Sequence, residues 1–293
     1  MILIDMNQVM ISNLMVQVKL SEDGINKGLV RHMVLNSLRM YVQKFREEYG
    51  GELVLCYDSK RYWRREYFPF YKATRKKDRE KSNFNWGQIF EVLNEIRDEL
   101  RQNVPYRVME VDGAEADDII SVLTKRIAFK NIRLQNNMQP PEKVLILSGD
   151  KDFIQLQKYP WLQQYNPVMK KYVNGMNPKQ YIVDHVLKGD KSDGIPNYLS
   201  PDDTFVEGKR QKPLSIKTLD KIRNLSPEQF CNEEQMEFYK RNLTLIDFSY
   251  IPLEVEQKIV DTYDTVIPVS KIRLHKYLLR NKLFELLEKI EEF

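Results

Sequence analysis

Four short apolar runs divide the first half of the chain: Ile2–Ile4, Leu53–Tyr57, Tyr106–Val111 and Lys143–Leu147. Their near-continuous hydrophobicity is the pattern of strands buried on both faces of a parallel sheet. Between them the apolar period lengthens to that of a helix. Leu29, Met33, Leu38, Tyr41 and Phe45 fall roughly on one side of a helix over 26–49, which Gly50-Gly51 stops. Ile89, Phe90, Leu93, Ile96 and Leu100 do the same over 86–101, and another helix starts near Ala114. Strand and helix alternate, so the expected class is α/β, with a mainly parallel central sheet flanked by helices.

The pattern changes after about residue 185. The stretch 189–213 is rich in Gly, Pro, Asp and Lys and reads as loop. Helices are expected beyond it. Ser226 marks one as its N-cap, with Pro227 in the first turn and Gln229 closing a capping box, and an apolar-periodic run over 271–290 ends the chain. The expected organisation is an α/β domain at 1–188 and a smaller all-helical C-terminal domain at 189–293. Within the first, the segment 59–84 is polar, aromatic and basic, with no clean apolar face.

Composition narrows the class only a little. The chain has 293 residues, 42% of them apolar, and no apolar run long enough to cross a bilayer. Met1–Ile4 runs into Asp5 without a basic flank, so no signal peptide is expected. Cys56 and Cys231 are the only cysteines and His32, His185 and His275 the only histidines; none has zinc-finger spacing. Two lone thiols suit a cytoplasmic location, with Cys56 as plain core. The net charge of +4 matters less than its distribution. Ten Lys or Arg residues lie between Lys60 and Lys81, against Glu66, Asp78 and Glu80.

The acidic residues carry the chemistry. Ligands of an open parallel sheet bind beyond the carboxyl ends of its strands. Asp5 follows the first predicted strand and Asp58 the second; Glu115, Asp117 and Asp118 lie beyond the third; Asp150 and Asp152 follow the fourth. Asp190 and Asp193 sit in a Gly-Asp-Lys-Ser-Asp-Gly loop. Carboxylates converging in such number cannot all ionise unless cations neutralise them. An oxygen set without His or Cys points to Mg²⁺, with Mn²⁺ as a substitute, rather than zinc. Two such ions, about 4 Å apart, suit hydrolysis of a phosphodiester. The alternative for any one residue is a helix cap or turn former, and Asp118 fits that best.

Directly after the Asp58 strand come Lys60-Arg61-Tyr62-Trp63-Arg64-Arg65 and Phe70-Tyr71-Lys72-Ala73-Thr74-Arg75-Lys76-Lys77. Lys and Arg neutralise phosphates and aromatic faces stack on unpaired bases, so this segment suits a single strand entering the acidic site. A solvated loop with its aromatics packed inward is the competing reading.

In this order, Leu3-Ile4-Asp5, Val54-Leu55-Cys56-Tyr57-Asp58, Glu115-Ala116-Asp117-Asp118, Ser148-Gly149-Asp150-Lys151-Asp152-Phe153 and Gly189-Asp190-Lys191-Ser192-Asp193 resemble the 5′-nuclease (flap endonuclease) superfamily. The Tyr62-Trp63-Arg64-Arg65 run, Leu245-Ile246-Asp247-Phe248 and Tyr250-Ile251-Pro252 are similar to its ribonuclease H branch in T-even-type bacteriophages. The likeness spans almost the whole chain. It implies a PIN/5′-nuclease-like fold and 5′→3′ removal of RNA primers and adjacent DNA, with flap cleavage. It implies that Asp58, Asp117 and Asp150 hold a first metal ion with Asp5 close by. Asp152 and Asp193 would serve a second, with Asp190 and Glu115 acting through water. Lys72 and Arg64 would contact the reacting phosphate from an arch, which Tyr71 and Arg75 help to position. Lys60, Arg65, Lys76 and Lys217 complete the expected nucleic-acid contacts.

The implied partners are DNA and RNA–DNA hybrids with a 5′ end, fork or flap, and a single-stranded DNA-binding protein; a monomer in the infected host's cytoplasm is expected, without membrane attachment. Two departures stand out. Lys212–Thr218 lacks the glycines of the family's potassium-binding hairpin, and no clamp-docking peptide precedes the first strand. Two rival readings remain: a nucleic-acid-binding module without turnover, and a phosphatase for small esters.

Overall fold

The computed structural model describes residues 1–20 and 24–293. The first half alternates as its pattern predicts: β1 (Ile2–Asp5), α1 (Met6–Leu20), α2 (Lys27–Tyr49), β2 (Leu53–Tyr57), α3 (Trp63–Tyr67), α4 (Thr74–Glu80), α5 (Trp86–Asn103), β3 (Arg107–Glu110), α6 (Ala116–Asn136) and β4 (Val144–Leu147). A 3₁₀ segment, Lys151–Lys158, leads to β5 (Leu162–Asn166), β6 (Lys171–Tyr172) and α7 (Pro178–Lys188). Beyond these lie α8 (Ile216–Ile222), α9 (Glu233–Ile246), α10 (Leu253–Thr265), α11 (Lys271–Arg280) and α12 (Phe284–Leu287).

The sheet order is β3-β2-β1-β4-β5-β6. Its first five strands are parallel and β6 pairs antiparallel with β5 at the edge. Alternate side chains of one strand serve two different cores, which is why the strands read as continuously apolar. Ile2, Ile4, Leu53, Leu55 and Leu145 face a layer built from α1, α2 and α5, into which Leu274, Tyr277 and Phe293 also pack. Leu3, Val54, Cys56, Val144 and Ile146 face α6, with Val255 and Ile259 of α10 behind it. A smaller cluster joins Phe68 and Tyr71 to Val186, Ile195, Leu245 and Ile246, tying segment 59–84 to α7 and α9.

Several elements differ from expectation. Helix α1 follows Asp5 without any intervening turn residue, so no local signal separates it from β1; Met6, Val9, Met10 and Leu14 are its buried face. On α2 the buried stripe is Val30, Val34, Leu35, Leu38, Val42, Phe45 and Tyr49, while Leu29 is exposed. The start at Asn26 and the stop at Gly50 hold: Asn26 accepts the Leu29 N–H, and Gly50 takes φ 81°. The capping box at Ser226 forms, but it opens only one 3₁₀ turn, Pro227–Gln229. Helix α9 starts from its own box, Asn232 with Gln235. Strand β5 (Leu-Gln-Gln-Tyr-Asn) is too polar to announce itself. Its Gln164 donates to the carbonyls of Ser148 and Asp150 instead of meeting solvent.

The turn after α7 places Asp190. Gly189 sits at φ 67°, ψ −176°, a region only glycine tolerates. A Cβ there would lie 2.4 Å from the Ile195 carbonyl oxygen and 2.5 Å from that of Pro196. Gly189→Ala is expected to cost about 2 kcal/mol or more, read as a lower midpoint in urea denaturation; an unchanged midpoint would show that the turn relaxes freely.

Candidate active site

The carboxylates converge at the carboxyl edge of the sheet. Asp5 ends β1, Asp58 follows β2, Asp117 lies in the first turn of α6 and Asp150 follows β4; together they line one groove with Lys72 and Arg75. Local hydrogen bonds aim them. Ser148 Oγ donates to Asp5 Oδ2 at 3.0 Å and accepts from the Asp150 N–H at 3.0 Å. Asp58 Oδ1 accepts the Ala116 N–H at 2.8 Å, so the end of β2 caps α6 across the cluster. Asp150 caps the 3₁₀ segment by accepting from the Asp152 N–H. Capping and convergence therefore coexist in the same residues. Asp152, Asp190 and Asp193 adjoin this groove through a narrow gap that Asp117 also lines.

Two cations are built into the site. Arg64 is 3% exposed; its Nη1 lies 3.0 Å from Glu115 Oε2 and 2.8 Å from Asp118 Oδ1, and its Nε donates to the Leu245 carbonyl at 2.9 Å. This enclosed guanidinium joins α3, α6 and α9, and is not free to contact a phosphate as the resemblance implied. Asp118 completes that joint, accepting from the Glu115 N–H and from Trp63 Nε1. Lys72 Nζ lies 2.6 Å from Glu115 Oε1 and 3.6 Å from Asp193 Oδ2. Its backbone is held at φ 56°, with its N–H donating to the Asp193 carbonyl at 2.7 Å. Tyr71 Oη is within reach of Glu115 and Asp193, and Arg75 Nη2 is 2.5 Å from Asp193 Oδ1.

A histidine also stands beside the acidic set. His185 Nε2 lies 3.7 Å from Asp152 Oδ1 and 3.4 Å from Asp190 Oδ2. Tyr181, one turn earlier on α7, donates to Asp152 Oδ1 at 2.8 Å. Neither residue was singled out from the sequence. The available signal was their i, i+4 spacing just ahead of the Gly189-Asp190 turn.

Segment 59–84 walls a cavity of about 810 Å³ against α1 and α5. Lys60, Arg65, Lys72 and Arg75 line it, as do Tyr62, Trp86 and Phe90. Lys76 is exposed on α4 and does not line it; Lys217 is exposed on α8. Trp63 and Tyr71 are buried, so the inward-packed reading holds for part of the aromatic set and the groove-lining reading for the rest.

Burial dominates the electrostatics. It pushes Asp5 up to about 7, with Asp58 and Asp150 adding repulsion against the hydrogen bonds of Gln8 and Ser148. Asp117 rises well above the carboxylate range through burial and then through Asp150, Asp5 and Asp58. Burial also raises Asp58 and Asp150, and carries Asp152 to about 7. Glu115 goes the other way: burial is outweighed by Lys72 and Arg64, which hold it ionised. Asp190 is likewise lowered, with His185 and Ser192 outweighing burial, and His185 is raised in turn by Asp190 and Asp152 against burial.

A carboxylate-lined edge on a parallel sheet, facing a basic and aromatic wall, defines an α/β protein of the resolvase-like nuclease class. Residues 1–184 match the family described as 5′-3′ exonuclease, N-terminal resolvase-like domain, and residues 177–293 match T4 RNase H, C terminal. The chain belongs to the 5′-3′ exonuclease family. It is 34% identical over 300 residues to ribonuclease H of Enterobacteria phage T4, covering 99% of this chain and 95% of that protein. Its fold is similar to that of the bacteriophage T5 flap endonuclease in a pseudo-enzyme–product complex with DNA and metal ions (TM-score 0.58, 15% identity, 90% of this chain and 97% of that one). A T5 5′-exonuclease with bound zinc gives the same TM-score at 15% identity, over 96% and 97% of the two chains.

The raised carboxylates fix the sign of a pH effect. Between about pH 4 and pH 7 the folded chain holds protons on them that the unfolded chain has released, so metal-free stability falls as pH rises through that window. Thermal melts in EDTA should give a lower Tm at pH 8 than at pH 5, and Mg²⁺ or Mn²⁺ should raise Tm more at pH 8. A metal-free Tm that climbs across this range would contradict the mutual repulsion assigned to these residues.

Proposed function

We propose that this chain is a phage replication nuclease that hydrolyses phosphodiesters from a 5′ end, removing RNA primers from RNA–DNA hybrids and adjacent DNA and cutting 5′ flaps. One observation carries the reading: Asp5, Asp58, Asp117 and Asp150, all with raised pKa values, line one groove together with Lys72 and Arg75. Such a set destabilises the fold unless divalent cations bind it. Its hard oxygen donors suit two Mg²⁺ ions, with Mn²⁺ as substitute. Asp58, Asp117 and Asp150 would hold one, with Asp5 beside them, and Asp152 and Asp193 the other, with Asp190 and Glu115 as outer partners. When bound, these ions supply charge stabilisation at the scissile phosphate and acidify a water.

The chain's own groups do the rest. Lys72, half-buried at the groove, adds positive charge where a phosphate would sit. Arg75, Lys60 and Arg65 line the path along segment 59–84, with Tyr62, Trp86 and Phe90 offering faces for unpaired bases. Tyr71 and Arg64 position this wall rather than touch substrate, because both are buried and engaged by Glu115. The helical region 189–293, with exposed Lys217 and Lys76 of the neighbouring segment as further contacts, is assigned to duplex binding and to a single-stranded DNA-binding protein; the working unit is a monomer.

A labelled RNA–DNA hybrid and a labelled 5′-flap duplex, incubated with Mg²⁺ or EDTA, should release short products from the 5′ end only with Mg²⁺. Asp150→Asn and Lys72→Ala should each slow cleavage by about 10²-fold or more, with Asp150→Asn still binding both substrates in a gel-shift assay. Substrates bound but left intact by the wild-type chain would favour a binding module; cleavage of small phosphate esters alone would favour a phosphatase.

A further inference from the structure

His185 is the only histidine that reaches the acidic groove, and its position there is unusual for a simple counter-ion. Its Nε2 is shielded from solvent and makes no hydrogen bond, although two carboxylate oxygens lie 3.4 Å and 3.7 Å away. Nε2 lies between Asp152 Oδ1 and Asp190 Oδ2, and one donor atom from each of the three residues lies within 4.8 Å of the others. Three donors this close come within reach of one ion after modest side-chain rotation.

The surroundings prepare the three donors separately. Tyr181 donates to Asp152 Oδ1 and its ring lies 5.3 Å from that of His185, fixing carboxylate and imidazole from the same helix. The N–H groups of Ser192 and Asp193, with Ser192 Oγ, all donate to Asp190 Oδ1, which leaves Oδ2 for the site. Gly189 makes the sharp turn that carries Asp190 back toward His185. The three residues line a groove of about 570 Å³ together with Asp150, so the position adjoins the acidic cluster. Partners that orient the ligands of a metal are the usual sign of a built site.

We propose that His185 Nε2 is a metal ligand at the second cation position, and that with Asp152 and with Asp190, which there binds directly instead of as an outer partner, it makes that position hold a borderline transition ion, Mn²⁺, Co²⁺ or Zn²⁺, more tightly than Mg²⁺. Imidazole serves such ions well and Mg²⁺ poorly, and affinity for a nitrogen-containing set rises along the first-row series. The inference rests on the nuclease reading for the presence of metal, but it concerns which donor atom meets the ion.

The test is metal binding without nucleic acid, so a failure of cleavage and a failure of this assignment are separate results. Zn²⁺ titration of the metal-free protein against a chelating dye should show a site that His185→Asn weakens by at least about tenfold, with a smaller change for Mg²⁺. Circular dichroism confirms that the variant folds. Independently, ¹⁵N-histidine spectra of the wild-type chain resolve three rings, and saturation with Zn²⁺ should remove the proton from His185 Nε2 and shift that nitrogen alone. A zinc affinity unchanged in a folded His185→Asn variant, or an Nε2 that keeps its proton at saturation, overturns the proposal.

Discussion

The structure depends on the crowding of like charge at one end of a parallel sheet. Asp5, Asp58, Asp117 and Asp150 are drawn together by strand ends and by the start of α6, and desolvation, with repulsion from neighbouring carboxylates, raises each of them. Crowded carboxylates disfavour one another's ionised form, so this arrangement is not one that folding stability would select. The acids are divided into two groups by what neutralises them. Glu115 and Asp118 are met by Arg64 and Lys72 inside the protein. The other four share a groove whose facing cations, Lys72 and Arg75, are committed to Glu115 and Asp193. That division separates acids that hold the scaffold from acids that await a ligand.

Segment 59–84 follows the same logic. Its sequence shows no apolar face because its residues serve two surfaces without a regular period. Trp63, Phe68 and Tyr71 turn inward, and the ring of Trp63 lies 4.6 Å under the Arg64 guanidinium. Arg65, Arg75 and Tyr62 turn to the groove. Lys72 stands at the crossing point, in a left-handed backbone conformation uncommon for a residue with a side chain. The Asp193 carbonyl holds that conformation through the Lys72 N–H, and Gly194 beside it has room for no Cβ without crowding the Phe70 carbonyl, 3.0 Å away. The loop after α7 and the basic wall therefore form one unit.

Much of this was legible in the chain. Apolar runs located β1 to β4, and acids placed just beyond them located the site, because both signals are local. What depended on tertiary context was not legible. Helix α1 has no start signal, since the chain passes from β1 into it at Asp5, a residue that ends the strand and faces the groove. The buried stripe of α2 was misplaced because Leu29, although apolar, faces solvent. Arg64 looked like a phosphate contact in a run of basic residues, yet its partners Glu115, Asp118 and the Leu245 carbonyl come from distant parts of the chain. His185 was set aside for lack of zinc-finger spacing. Its partners are assembled by a helix turn and by Gly189, which no spacing rule describes.

The cations that stand over the site also limit how it can be filled. Asp193 accepts from Arg75, lies beside Lys72 and is within reach of the Tyr71 hydroxyl. A metal ion placed on Asp193 competes with these groups for the same oxygens, and a phosphate placed at Lys72 competes with Glu115 and Asp193 for the same ammonium. Each ligand thus removes a contact that opposes the other. By linkage the assistance is mutual: an ion on Asp193 loosens the cations that a phosphate needs, and the phosphate draws them away from the carboxylate that the ion needs. On the nuclease reading, Lys72 and Arg75 would exchange these carboxylate contacts for the phosphate.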